Sequence, residues 1–178
     1  MNKLKGYTMV VIASCLWGVS GAVAQKLFSN NGMSVEWLVT IRLVISGLLI
    51  LLFASFGKGK AHIISVFKHK SYMVQVVIFG IIGMLGVQYT FFITIDESNA
   101  AVATLLQYIA PVFITLYFLI VLKMKPSLLE LMAILLALTG TFLLLTNGSI
   151  QTISITPKAL LWGLGSAITL AFYTIHSG

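Results

Sequence analysis

Residues 97–121 read ESNAAVATLLQYIAPVFITLYFLIV. The flanking Leu, Ile, Val and Phe suit lipid, and as a helix rising about 1.5 Å per residue the run is long enough to cross about 30 Å of hydrocarbon. Its centre nevertheless carries Gln107, Tyr108 and Pro111, at a depth where a bilayer offers polar groups no partners. Ala100, Thr104, Gln107, Pro111 and Thr115 recur at helical spacing, so a small, polar face runs down an otherwise apolar helix. Pro111 has no N–H to give the carbonyl of Gln107, four residues earlier, and a kink is predicted there. Exposed backbone near the bilayer midplane is tolerated only where protein or water covers it. Two explanations stand. The stretch is either a packing face whose kink a neighbouring helix satisfies, or, in the sharper reading, a cavity wall where the freed carbonyl and the Gln107 amide meet a solute.

The rest of the chain has the same character. It is 59% hydrophobic and 8% charged, against roughly a quarter charged in soluble domains. Six apolar runs, at approximately 7–27, 34–56, 72–93, 99–122, 128–146 and 158–177, predict an all-α polytopic membrane protein. Ser29–Asn30–Asn31–Gly32 is turn chemistry, and Gly57 opens a basic break holding Lys58, Lys60, Lys68 and Lys70. Asp96–Glu97–Ser98 precedes the fourth span, Lys123–Ser127 the fifth, and Asn147–Gly148–Ser149 ends the fifth. The net charge of +7 resides almost wholly in these breaks, so it is an orientation signal rather than a nucleic-acid footprint. Lys3 and Lys5, the second break, and Lys123 with Lys125 alternate with weakly charged or acidic breaks, which predicts a cytoplasmic N-terminus. Tyr7, Trp37, Tyr72 and Trp162 fit interface positions in that layout. Cys15 is the only cysteine, so no disulfide forms within the chain. Lys3 and Lys5 before an apolar run and Ala22–Val23–Ala24 resemble a signal peptide. The run is long for one and is interrupted by Trp17–Gly18–Val19–Ser20–Gly21, so it is read as a retained first span.

Other spans carry candidates of their own. Ser14, Trp17, Gly18, Gly21 and Gln25 form a stripe on the first, where the glycines permit close packing and Trp17 lies too deep for an interface belt. On the third, Gln75, Gly83, Gly86, Thr90 and Thr94 share a side with Tyr89 at its edge, while Gln88 falls nearly opposite. Packing is the expected role of those glycines. Arg42, the only arginine, lies about two turns into the second span. It is either functional or a snorkelling cation bonded at the interface. The four acids, Glu36, Asp96, Glu97 and Glu130, all lie at or near span ends, and of the histidines His62 and His69 fall in the basic break and His176 at the chain's end. A carboxylate proton relay is therefore poorly supplied. No hydrolase triad, His-Glu-x-x-His or cysteine cluster appears, which speaks against an enzyme, a metal or a cofactor. Ser98–Asn99 reads as a helix cap.

These features together resemble an EamA-type repeat of the drug/metabolite transporter superfamily. The matching residues are Leu16–Trp17–Gly18, Arg42–Leu43, Ser98–Asn99–Ala100–Ala101 leading to Tyr108–Ile109–Ala110–Pro111–Val112–Phe113, and Leu138–Thr139–Gly140. By this resemblance residues 1–147 form one five-helix repeat. Residues 148–178 are a loop and the first helix of a second, incomplete repeat, with Phe172–Tyr173–Thr174 in the family's style. The sixth run also echoes the first, either through Leu161–Trp162–Gly163 or, in the preferred register, with Lys158 against Lys5. Where the family often has Gly-Glu-Arg after the fourth span, this chain has Lys123–Met124–Lys125. The resemblance implies ten spans in two inverted repeats with the solute bound between them. The expected function is a multi-pass plasma-membrane transporter exporting small organic metabolites, amino acids or related compounds, or amphipathic drugs, by alternating access. The expected substrate-binding residues are Trp17, Tyr89, Gln107, Tyr108, Pro111 and Tyr173, which suit a neutral or zwitterionic solute. The expected partners are that solute, the lipid bilayer and a second five-helix half, from a longer form of the chain or a homodimer partner. A truncated or non-transporting subunit that pairs with another half is the alternative.

Overall fold

A computed structural model describes residues 3–56, 70–146 and 155–177. The basic break at 57–69 with His62 and His69, and the Asn147–Gly148–Ser149 stop, lie outside the described residues. Those described form an all-α polytopic membrane protein with no strand among them. The first span is Lys3–Asn31 and the second Val35–Phe56. The third runs Lys70–Glu97, the fourth Ala100–Ile120, the fifth Leu128–Thr146 and the sixth Pro157–Ser177. Five of these contain stretches long and apolar enough to cross a membrane, and Leu128–Gly140 is a shorter apolar helix. Leu, Ile, Val and Phe cover the outer surfaces of the spans, where water is absent and lipid tails solvate them.

The fourth span breaks where its proline predicts. One helix ends at Gln107, Tyr108 and Ile109 form a turn, and a second helix runs Ala110–Ile120. The Ile109 N–H bonds the carbonyl of Leu106, three residues back, at 3.2 Å, a tightened turn that leaves Pro111 at the start of the second helix, where its missing N–H costs little. The span begins at Asn99, whose side chain accepts from the Val102 N–H at 2.8 Å, and Gln25 of the first span accepts from the Ala100 N–H at 2.9 Å. The fifth span starts with a reciprocal cap: the Glu130 N–H donates to Ser127 Oγ and the Ser127 N–H donates to Glu130 Oε2.

The third span departs from a uniform helix. Phe79–Leu85 is π-helical, between α-helices Lys70–Ile78 and Gly86–Glu97. The Gly86 N–H reaches the carbonyl of Ile81, five residues back. Beyond this wider turn, Gly86–Glu97 is the hub of the bundle and packs against the first, second, fourth and sixth spans. Phe91, Phe92 and Ile95 from the hub join Ala24 and Phe28 of the first span, Val35 and Val39 of the second and Ala103 of the fourth in the buried core. The fifth span leans only on the fourth among the closer span pairs.

The sixth span approaches closely on small residues. Gly86 faces Thr169, Gly165 faces Thr90, and Gly163 receives the side chain of Leu106. A Cβ at Gly163 falls 2.7 Å from Leu106 Cβ, an atom fixed to the backbone of the fourth span. Gly163→Ala is therefore expected to force the fourth and sixth spans apart and to cost about 1–3 kcal/mol. Gly47→Ala, at a position facing open space, is expected to leave stability within about 0.5 kcal/mol. Reversible denaturation of the two variants in mixed micelles checks this.

Candidate functional site

Of the polar centre of the fourth span, Gln107 turns inward, to protein. Gln107 is 8% exposed and Ser166 of the sixth span 0%. The Gln107 amide Nε2–H donates to Ser166 Oγ at 2.9 Å. Hydrocarbon offers an amide nothing, so this bond clamps the fourth span to the sixth at the kink. The adjacent Tyr108 is 47% exposed. Pro111 lies beside a groove of about 510 Å³ between the fourth and fifth spans, with Thr115, Phe118, Lys125 and Glu130 among its lining. Tyr173 stacks on Phe79 of the π-helical turn, ring centroids 5.0 Å apart, and fits against Gly83. The Tyr89 hydroxyl donates to Glu36 Oε1 at 3.3 Å, and its ring meets Trp162 edge-on. Near that end of the bundle Lys158 pairs with Glu97 at 3.4 Å, an exposed pair of little energetic weight.

Trp17 belongs to a different place. Together with Ser20, Arg42, Gln88, Phe91 and Phe92 it lines a cavity of about 300 Å³ between the first three spans. Of the six candidate residues it alone lines this cavity. Among the described residues Arg42 meets Ser20 and Phe92 rather than a helix-end carbonyl: its Nη1–H donates to Ser20 Oγ at 2.6 Å, and its guanidinium lies 4.8 Å from the centroid of the Phe92 ring. Trp17 meets Phe91 edge-on at 6.3 Å. The hub helix thus has two faces. Gly86 and Thr90 close on the sixth span, with Thr90 and Thr169 hydroxyls 3.5 Å apart, while Gln88, Phe91 and Phe92 face the cavity.

Reading spans singly undervalued Ser20, Arg42 and Gln88, although a signal existed. Ala13, Leu16, Trp17, Ser20 and Gly21 follow i, i+3, i+4, i+7, i+8, and Gln88, Phe91 and Phe92 follow i, i+3, i+4. Each set is one helical face with an amide or hydroxyl among aromatics. Once the glycine side of the third span is given to packing, Gln88 is left to line whatever lies opposite.

The profile of the EamA-like transporter family matches residues 4–146. Among curated proteins, an uncharacterized inner membrane transporter of Salmonella typhimurium strain LT2, YicL, is 44% identical over 170 residues, covering 96% of this chain and 56% of that protein. The chain thus spans about half the length of this relative. No solved structure matches it.

A double-mutant cycle on Gln107→Leu and Ser166→Ala is expected to return a coupling of about 0.6 kcal/mol, with about 1.7 as the ceiling for such bonds in membrane bundles. Denaturation of the four proteins in micelles measures it, and zero coupling would contradict the clamp.

Proposed function

The chain belongs to the EamA-like transporter family, and on that premise we propose that it forms part of a multi-pass plasma-membrane transporter that exports small organic solutes by alternating access. The observation that carries the reading is the cavity beside Trp17, Ser20 and Gln88: amide, hydroxyl and aromatic groups held within membrane spans around a space of about 300 Å³, the lower end of small-molecule sites. Family membership and the printed description of the Salmonella relative as an inner membrane transporter support transport and a plasma-membrane location. Five helices are long and apolar enough to cross the bilayer. The 56% coverage of that relative supports a second half that completes the cavity, and the alternation of lysines supports a cytoplasmic N-terminus.

In this reading Trp17 touches the solute, and the half-exposed Tyr108, outside this cavity, faces the second half of the protein. Gln107 acts from behind, holding the fourth span to the sixth through Ser166. Pro111 sets the bend, and Tyr173 and Tyr89 hold the third span against the sixth and second through Phe79 and Glu36.

Everted membrane vesicles carrying the protein test the reading with labelled amino acids, organic acids and amphipathic amines. At least one solute is expected to accumulate above empty vesicles. Trp17→Leu is expected to slow it about tenfold, equivalent to about 1.4 kcal/mol, with unchanged protein in the membrane. Background rates for every solute would overturn transport. A fully active Trp17→Leu protein would overturn the placement of the site.

A further inference from the structure

Arg42 lines this cavity. It lies about 10 Å along the second span from Val35, and a guanidinium does not escape burial by losing its proton. Its five N–H donors meet one hydrogen-bond acceptor among the described residues, Ser20 Oγ at 2.6 Å, and one aromatic face, Phe92. No carboxylate pairs with it among those residues. A charge within a span calls for a polar partner or a water-filled space. Arg42 borders two spaces, an apolar groove of about 250 Å³ with Leu16, Val23 and Leu38 and the cavity with Trp17, Gln88 and Phe91, and of the two only the cavity adds an amide. Among the described residues neither Asp nor Glu lines that space, so this part of the cavity supplies no counter-charge for an ammonium group. One positive charge, a planar fork of donors and an aromatic surround fit a carboxylate on a flat apolar body.

We propose that Arg42 anchors an oxyanion in this cavity, and that the solutes it takes are small monocarboxylates with an apolar body and no ammonium group. This deepens the transport reading above and rests on it for its physiological meaning. It replaces the neutral or zwitterionic class expected from the spans alone with an anionic one. Ser20 is a positioning residue, holding the guanidinium against the first span, and Gln88 offers the amide that orients the second carboxylate oxygen or the solute body.

The test is a binding measurement on the full chain in nanodiscs of neutral lipid, by titration calorimetry, with phenylacetate, phenylacetamide, phenethylammonium and L-phenylalanine as probes. Phenylacetate is expected to bind at least about tenfold more tightly than each of the other three. Arg42→Gln is expected to erase that preference, and Arg42→Lys to keep part of it. Equal binding of acid and amide, absence of binding by phenylacetate, or a preference that survives Arg42→Gln would overturn the anchor. L-phenylalanine binding as tightly as phenylacetate would overturn the exclusion of ammonium groups. The acid-against-amide comparison needs no variant, so it decides the matter even where Arg42→Gln fails to fold. Repeating the titration with phosphatidylglycerol added separates a solute from a lipid headgroup: loss of phenylacetate binding would assign Arg42 to lipid and overturn the proposal. Binding without transport in vesicles leaves the anchor standing and removes the transport reading. Transport with no preference for acids does the reverse.

Discussion

Hydrocarbon neither donates nor accepts a hydrogen bond, and that single constraint organises this bundle. Every polar side chain placed inside a span must find its partner in another span, in its own backbone or in a water-filled space. Gln107 finds Ser166, Gln25 finds the first free N–H of the fourth span, and Thr90, Thr94 and Thr104 return to carbonyls one turn back. Because the cross-span partners lie far apart in sequence, satisfying them fixes which spans are neighbours and in what rotation. Apolar packing, which lipid tails rival, does not decide this alone. Arg42 is the exception: among the described residues it meets one hydroxyl and one aromatic face, and a cavity of about 300 Å³ lies beside it.

The hub of the third span converts this chemistry into architecture. Small residues on one side admit the sixth span to within a side chain's width, as Gly86 against Thr169 and Thr90 against Gly165. With that side closed, the bulkier Gln88, Phe91 and Phe92 are turned toward the first and second spans. The π-helical turn just before the hub, with its i→i+5 hydrogen bonding, is a rare local departure from the α-helix. It carries the Phe79–Tyr173 stack, so it ties the sixth span to the third ahead of the hub.

What the sequence made legible was local. Pro111 predicts the break in the fourth span, and the turn at Tyr108–Ile109 is that break. The cap was expected at Ser98–Asn99 and Asn99 provides it, and Ser127 with Glu130 carries the spacing of a reciprocal cap. Span limits differ from the expected ones by a few residues, most at the first span, which continues to Asn31 because Ser29 and Asn30 remain helical. The partners were not legible, for a physical reason. A polar face predicts that something must satisfy it, but whether that is Ser166 or water depends on the rotation of a distant helix. The π-helical turn was equally hidden, since Phe79–Leu85 has the composition of any apolar helix. Arg42 was visible as a cost, and only the structure shows that it meets Ser20 and Phe92.

The account stands or falls on the two faces of the hub helix, one sealed by protein and one turned to an aqueous cavity. Thiol labelling with a charged, membrane-impermeant reagent measures this directly, in a Cys15→Ser background because the native thiol is exposed. Gln88→Cys is expected to react readily, and faster with an anionic reagent than with a cationic one, because Arg42 lines the same cavity. Thr90→Cys, on the side facing the sixth span, is expected to stay protected. Equal reactivity at the two positions, or an unreactive Gln88→Cys, would contradict the account.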